Sequence, residues 1–261
     1  MATSARLWIA AAAATVVAAA WQWRTGPSYP YRARVARGGV ELGVTFPPSH
    51  VLPSAARVAV PAVPAGATGT IFWRESPSAQ PFAELPMRLA AGDLVAELPA
   101  QPAGGKVAYY VELRSAAGSA RIPRQPGGAV VVRFRGPIPA PLLITHIVVM
   151  FIAMLLGVRA GLAALWEGDR YRLLTWLALA AISVGGGILG PITQKDAFGA
   201  YWTGIPFGWD LTDNKTLVAW IGWALAGVAA ARRWRGARWV IAAALVVMLA
   251  AFLVPHSLLG T

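Results

Sequence analysis

Residues 142–158, LLITHIVVMFIAMLLGV, run for seventeen positions without a charge. A stretch that long and that apolar is close to the roughly 20 residues needed to cross a hydrocarbon layer as a helix. Three further runs follow the same pattern, from Leu173 to Ile192, Leu217 to Ala231 and Trp239 to Val254. The last two are slightly short, and Lys215 and Arg232 are placed to snorkel and lengthen the Leu217 run. Composition agrees: 57% of the 261 residues are hydrophobic and only 13% charged, against roughly 25% charged in a soluble domain. The chain has no cysteine, which excludes disulfides, thiolate metal sites and covalent c-type haem attachment.

Upstream lies a shorter apolar run, residues 7–20, LWIAAAAATVVAAA, behind Arg6 and ahead of Trp21 and Trp23. It reads either as a signal peptide with Ala18-Ala19-Ala20 as its cleavage site or as an uncleaved anchor. The two tryptophans suit an interfacial belt and favour the anchor. Between this run and Leu142 the character changes. Prolines and glycines punctuate short apolar stretches, and in KVAYYVELR (106–114) Val107, Tyr109, Val111 and Leu113 alternate with Ala108, Tyr110, Glu112 and Arg114. Alternation of that kind marks a strand with one buried face. Gly39–Phe46, Arg57–Val63, Thr68–Glu75, Leu94–Leu98 and Ala129–Phe134 are similar candidates. Six to eight short strands predict a β-sandwich, and residues 38–135 resemble a fibronectin type III or immunoglobulin-like domain. The expected layout is an N-terminal segment 1–24, an all-β sandwich 25–136 and a four-helix transmembrane domain 137–261 whose outer loop spans 194–214.

The basic residues number 23 against 11 acidic, and their positions explain much of the excess. Arg159, Arg170 and Arg172 fall between the Leu142 and Leu173 runs, while Arg232, Arg233, Arg235 and Arg238 fall between the last two. The positive-inside rule places both clusters in the cytoplasm. The sandwich, the 194–214 loop and the C-terminus are then extracytoplasmic, as in a protein of the bacterial plasma membrane. Nucleic acid is not an expected partner; the lipid bilayer and another membrane or extracytoplasmic protein are. Gly157 with Gly161, Gly186 with Gly190, and Gly222 with Ala226 have the spacing that lets membrane helices approach closely, within the bundle or against another subunit.

The segment with most chemistry is TQKDAFGAYWTGIPFGWDLTDNKT (193–216), in which five aromatic residues accompany Asp196, Asp210 and Asp213. It reads either as an interfacial belt with Thr212 or Asp213 capping the next helix, or as a platform for a planar or hydrophobic ligand. His146 and His256 are expected at the same depth. Histidine in a membrane segment is costly unless paired or functional, so both are candidate ligands of a metal ion or haem iron. Shared ligation of one ion would bring their nitrogens to about 4 Å. His50 reads as a loop residue without a role.

Residues 197–216, with Trp202, Trp209-Asp210 and Lys215-Thr216, resemble the tryptophan-rich haem-handling segment of cytochrome c biogenesis membrane proteins. The resemblance implies that Trp202, Trp209 and Asp210 form the core of a haem site, with His146 and His256 as flanking ligands. Phe198 stands where that family has its first tryptophan, and residues 204–208 are an insertion. Two functions are therefore expected. The first is an accessory or scaffold subunit of a membrane complex, binding partners through the sandwich and the small-residue helix faces. The alternative is a protein that binds or handles haem, a metal or a hydrophobic cofactor through His146, His256, Trp202, Trp209, Asp210 and Asp213. No nucleophile elbow, phosphate-cradling loop or zinc-protease helix motif points to an enzyme.

Overall fold

The computed structural model describes residues 2–25, 30–37, 40–61, 66–116 and 118–254. The chain divides into two compact units. One comprises Met1–Gly26, Ile138–Asp196 and Ala200–Thr261; the other comprises Pro27–Pro137 and Ala197–Gly199.

Among the described residues, helix α1 (Ala2–Thr25) is followed by eleven strands: β1 Tyr31–Arg37, β2 Val40–Phe46, β3 Ser49–Val51, β4 Ala56–Val60, β5 Thr68–Glu75, β6 Ala83–Pro86, β7 Arg88–Ala90, β8 Asp93–Leu98, β9 Lys106–Ser115, β10 Gly118–Ile122 and β11 Val130–Arg135. Strands β1 and β2 form a hairpin. A six-stranded sheet runs β3-β11-β9-β5-β6 with β10 also paired to β9, and a three-stranded sheet runs β4-β8-β7. The alternation in β9 is realised: Val107, Tyr109, Val111 and Leu113 are buried. They share one apolar core with Val58, Leu94 and Leu98 of the smaller sheet and with Val44 and Phe46 of the hairpin. Five of the strands, β1, β3, β6, β7 and β10, lie outside the expected set, and four of these have only three to five residues. Strands that short carry too few positions for a period-two pattern to register.

The helical unit is completed by α2 (Ala140–Trp166), α3 (Tyr171–Val184), a π-helical turn at Gly185–Leu189, α4 (Gly190–Phe198), α5 (Leu211–Ala231) and α6 (Ala237–Leu253). Three helical stretches, Ser4–Thr25, Ala140–Trp166 and Tyr171–Phe198, are long and apolar enough to cross a membrane; α6 is a shorter apolar helix. The core is dominated by alanine, with Trp223 fully buried among Met154, Ile241 and Met248. Ile144, Leu173, Ile188, Leu225 and Val246 are exposed on the outside of the same helices. Helices apolar on both sides belong in lipid or in a larger protein core.

Several boundaries differ from the sequence reading. Arg159 does not end the α2 run in a loop. It is 2% exposed within α2, donating to Ser4 Oγ at 2.9 Å and to the Glu167 carboxylate. The helix passes through this charge because a partner two turns further on neutralises it. Arg172 likewise belongs to α3, leaving a turn of only a few residues around Arg170. The small-residue faces expected to be available for docking are turned inward. A Cβ on Gly157 would strike Met248, one on Gly161 would strike Leu245, one on Gly186 would strike Thr216, and Gly222 faces Ala244.

Helix α1 is fastened at both ends. Ser4 holds Arg159 at one end, and at the other Trp21 Nε1 donates to the Leu253 carbonyl at 2.9 Å while Gln22 Nε2 donates to that of Phe252. Lys215 Nζ, expected to snorkel, donates to the Val254 carbonyl at 2.6 Å. The last carbonyls of a helix have no intrahelical donor. Here α1 and α5 supply the missing donors to α6, so the C-terminal end of α1, the first turn of α5 and the end of α6 meet at one end of the unit.

Candidate functional site

The aromatic connection between α4 and α5 is shorter than the expected 194–214. Polar residues 193–196 do not interrupt α4, which continues to Phe198 and stops where Gly199 takes φ +86°, a conformation glycine adopts without penalty. The next helix starts at Leu211. Its N-cap is neither Thr212 nor Asp213 but Asp210, whose Oδ1 accepts the N–H groups of Thr212 and Asp213 at 2.9 and 3.1 Å. With the cap moved back, Asp213 falls in the first turn of α5 and its carboxylate turns onto the loop.

Asp213 Oδ2 accepts the backbone N–H of Thr203 at 2.6 Å and of Gly204 at 3.0 Å, together with Gln194 Nε2 at 3.1 Å. Asn214 Oδ1 accepts the N–H of Ile205 at 2.7 Å. Within the loop, Phe207 and Gly208 donate to the Gly204 carbonyl, Asp210 donates to that of Thr203, and Trp202 Nε1 donates to that of Ile205. A Cβ on Gly208 would lie 2.4 Å from the Thr203 carbonyl oxygen, so this turn closes only around glycine. The loop is thus stitched internally and to α5, yet its large side chains point away. Phe207 and Trp209 are each 82% exposed, and Tyr201 and Ile205 are exposed as well.

The residues expected to form a cofactor site are therefore distributed over different tasks. Asp210 caps a helix, Asp213 organises the loop, Trp202 is tied back to Ile205 and Trp209 projects outward. His146, on α2, is half-buried; its Nδ1 lies 3.1 Å from the Gly185 carbonyl, in the π-helical turn. A carbonyl only accepts, so Nδ1 carries a proton, and in the neutral imidazole Nε2 keeps its lone pair. His256 lies outside the described residues, as does any pairing of the two imidazoles. Among the described residues no three His, Asp or Glu side chains gather as a metal site.

A second cluster, not anticipated from the sequence, covers the outward face of the six-stranded sheet. Phe72 on β5 and Tyr110 on β9 are register partners whose rings stack at 4.8 Å and 7°. The Arg121 guanidinium lies 3.7 Å above the Tyr110 ring; Phe82 meets the same ring edge-on at 5.1 Å and is itself covered by Arg74 at 4.4 Å. Both arginines are steadied by loop carbonyls, Arg74 by Gln80 and Arg121 by Gly128. Each cation–π pair is worth about 0.5–1 kcal/mol at a partly exposed site. The signal was present in the alternation, which leaves Phe72 and Tyr110 on the solvent side, where a strand ordinarily carries polar residues. His50, assigned no role, bonds Ser54 and packs edge-on against Phe134.

No protein-family model matches the chain, and no curated protein is significantly similar to it.

Proposed function

We propose that the protein is a membrane-anchored accessory subunit whose β-sandwich, of the fibronectin type III or immunoglobulin-like kind, binds an extracytoplasmic partner. In this reading α1, α2, the α3–α4 helix, α5 and α6 all cross the bacterial plasma membrane. Arg6 and the arginine-rich turns at 170–172 and 232–238 lie in the cytoplasm, and the sandwich and C-terminus lie outside. The observation that carries the proposal is the Arg121–Tyr110–Phe72 stack with Phe82 and Arg74. It is a ladder of stacked rings held rigid by register and covered by two guanidiniums, Arg121 over Tyr110 and Arg74 over Phe82. These side chains are half-buried, aromatic and arginine residues are the types that dominate binding at protein interfaces, and the two positive charges favour a carboxylate-bearing partner. The small-residue helix faces drop out of the proposal because they pack within the bundle. The test places a photo-crosslinking amino acid at Tyr110 in the full chain in native membranes. Capture of one partner of defined mass, lost on Arg121→Glu with Arg74→Glu, is the expected result. Absence of any adduct beyond the monomer would overturn it.

A second reading, handling of haem or another cofactor at the α4–α5 end, is favoured by one observation. The tautomer fixed by the Gly185 carbonyl leaves His146 Nε2 able to ligate. The resemblance of residues 197–216 to a haem-handling segment belongs to this reading, in which Trp202, Trp209 and Asp210 would line the site and His256 would be the other flanking ligand. A visible spectrum and metal analysis of freshly purified protein test it. A Soret band abolished by His146→Ala is expected, and a colourless, metal-free protein would exclude it.

A further inference from the structure

The exposed side chains of the 201–209 loop stand at the end of the helical unit where α1, α5 and α6 are joined by the Trp21–Leu253 and Lys215–Val254 hydrogen bonds. Trp21 and Trp23 are exposed at the same end. Along the helices, large apolar residues such as Ile188 and Val246 are exposed, as the loop's own side chains are. Within the loop, the N–H groups of Thr203 and Gly204 are met by Asp213, that of Ile205 by Asn214, and those of Phe207 and Gly208 by the Gly204 carbonyl. Each N–H already bonded in this way avoids the penalty of several kcal/mol that an orphaned group meets in a low-polarity layer. The side chains the loop presents, Ile205, Phe207 and Trp209, are those suited to the boundary between headgroups and acyl chains.

We infer that the 201–209 loop is a preformed wedge that inserts Ile205, Phe207 and Trp209 into the interfacial layer of the bilayer at this end of the bundle. The occupant of this aromatic face is lipid, neither a second copy of the chain nor a soluble protein. Insertion needs no folding of the loop, because Asp213 holds it in shape beforehand. The inference rests on the helices being in the membrane but is independent of what the sandwich binds.

The chain has no cysteine, so single-cysteine variants carry one probe each. Phe207→Cys and Trp209→Cys alter side chains that project outward, and each serves as a check on the folding of the other. Val246→Cys on α6 is the control for membrane insertion itself. Each variant is labelled with an environment-sensitive fluorophore. The full-length protein is then placed in nanodiscs of phosphatidylcholine with a minority of phosphatidylglycerol. Expected at positions 207 and 209 is blue-shifted emission, quenched by lipids brominated near the top of the acyl chain and insensitive to aqueous iodide. Quenching by iodide with no lipid effect would overturn the inference, and so would protection from both quenchers, which signifies a protein against the loop. Iodide quenching at 246 would instead remove the membrane reading on which it rests.

Discussion

The backbone N–H of Thr203 donates to the Asp213 carboxylate at 2.6 Å, so a residue in the first turn of α5 fixes the shape of the loop that precedes it. Asp213→Ala leaves Thr203, Gly204 and Gln194 without that acceptor and is expected to cost about 2–4 kcal/mol, since each unmet buried donor costs about 1–3 kcal/mol. Asp213→Asn keeps one acceptor oxygen and loses less. Thermal unfolding in detergent reads the stability, and limited proteolysis between 203 and 208 reads the loop. A protease-resistant, fully stable Asp213→Ala protein would contradict the assignment.

The buried pair of Arg159 and Glu167 makes a prediction with a sign. The hydrogen bond from Arg159 holds the Glu167 carboxyl below its ordinary value of 4.5, overcoming the opposing effect of burial. The carboxylate is thus favoured in the folded protein, and its contribution is complete above pH 4.5. It is lost as the pH falls through the lowered native value. Stability measured from neutral pH into the acid range should fall more steeply for the wild type than for Glu167→Gln. Removing the cation alone, as in Arg159→Met, is expected to cost about 3–5 kcal/mol by leaving a buried carboxylate unpaired, and Arg159→Met with Glu167→Gln should recover much of that.

Helix α1 is predicted to remain in the mature protein. Cleavage after Ala20 would remove Trp21 and Gln22 from their helix and take Ser4 away from Arg159. Intact mass of the protein extracted from membranes should include residues 7–20. A mass corresponding to a chain beginning at Trp21 would show that these contacts do not persist.

Close packing at the centre of the bundle distinguishes three glycines. Gly161→Ala places a methyl group 2.4 Å from Leu245 Cδ2 and 2.9 Å from its Cβ, which cannot move far. A loss of about 1–3 kcal/mol is expected from overpacking of this kind. Gly157→Ala meets the flexible end of Met248 but also the Trp223 ring, and falls at the lower end of the same range. Gly187→Ala meets nothing within 4 Å and should be neutral or slightly stabilising. Unfolding in detergent with increasing denaturant ranks the three.

What the sequence made legible followed physical scale. Long apolar runs such as 142–158 and the alternation of 106–114 each repeat one signal many times, and the helices and β9 formed where those patterns lay. The roles of Asp213 and Arg159 depend on partners that carry no sequence mark. One answers backbone N–H groups ten residues upstream, and the other answers a serine 155 residues away. The Phe72–Tyr110 stack required the register between β5 and β9, which periodicity within one strand does not reveal. His146 was recognisable as unusual, but its hydrogen bond to Gly185 required knowing that the opposite helix contains a π turn.

That turn alters how the glycine run 185–187 should be counted. Gly190 donates to Gly185, five residues back, so the segment carries one more residue than a regular helix would allow. Every position after it is rotated by about 100° relative to an uninterrupted α-helix. Gln194, beyond the turn, reaches Thr203 Oγ1 and Asp213 on that shifted phase. Deleting a single glycine would leave the hydropathy of the segment almost unchanged while swinging Gln194 away from both partners. In this helix the number of residues, independent of their polarity, sets the alignment of the two ends.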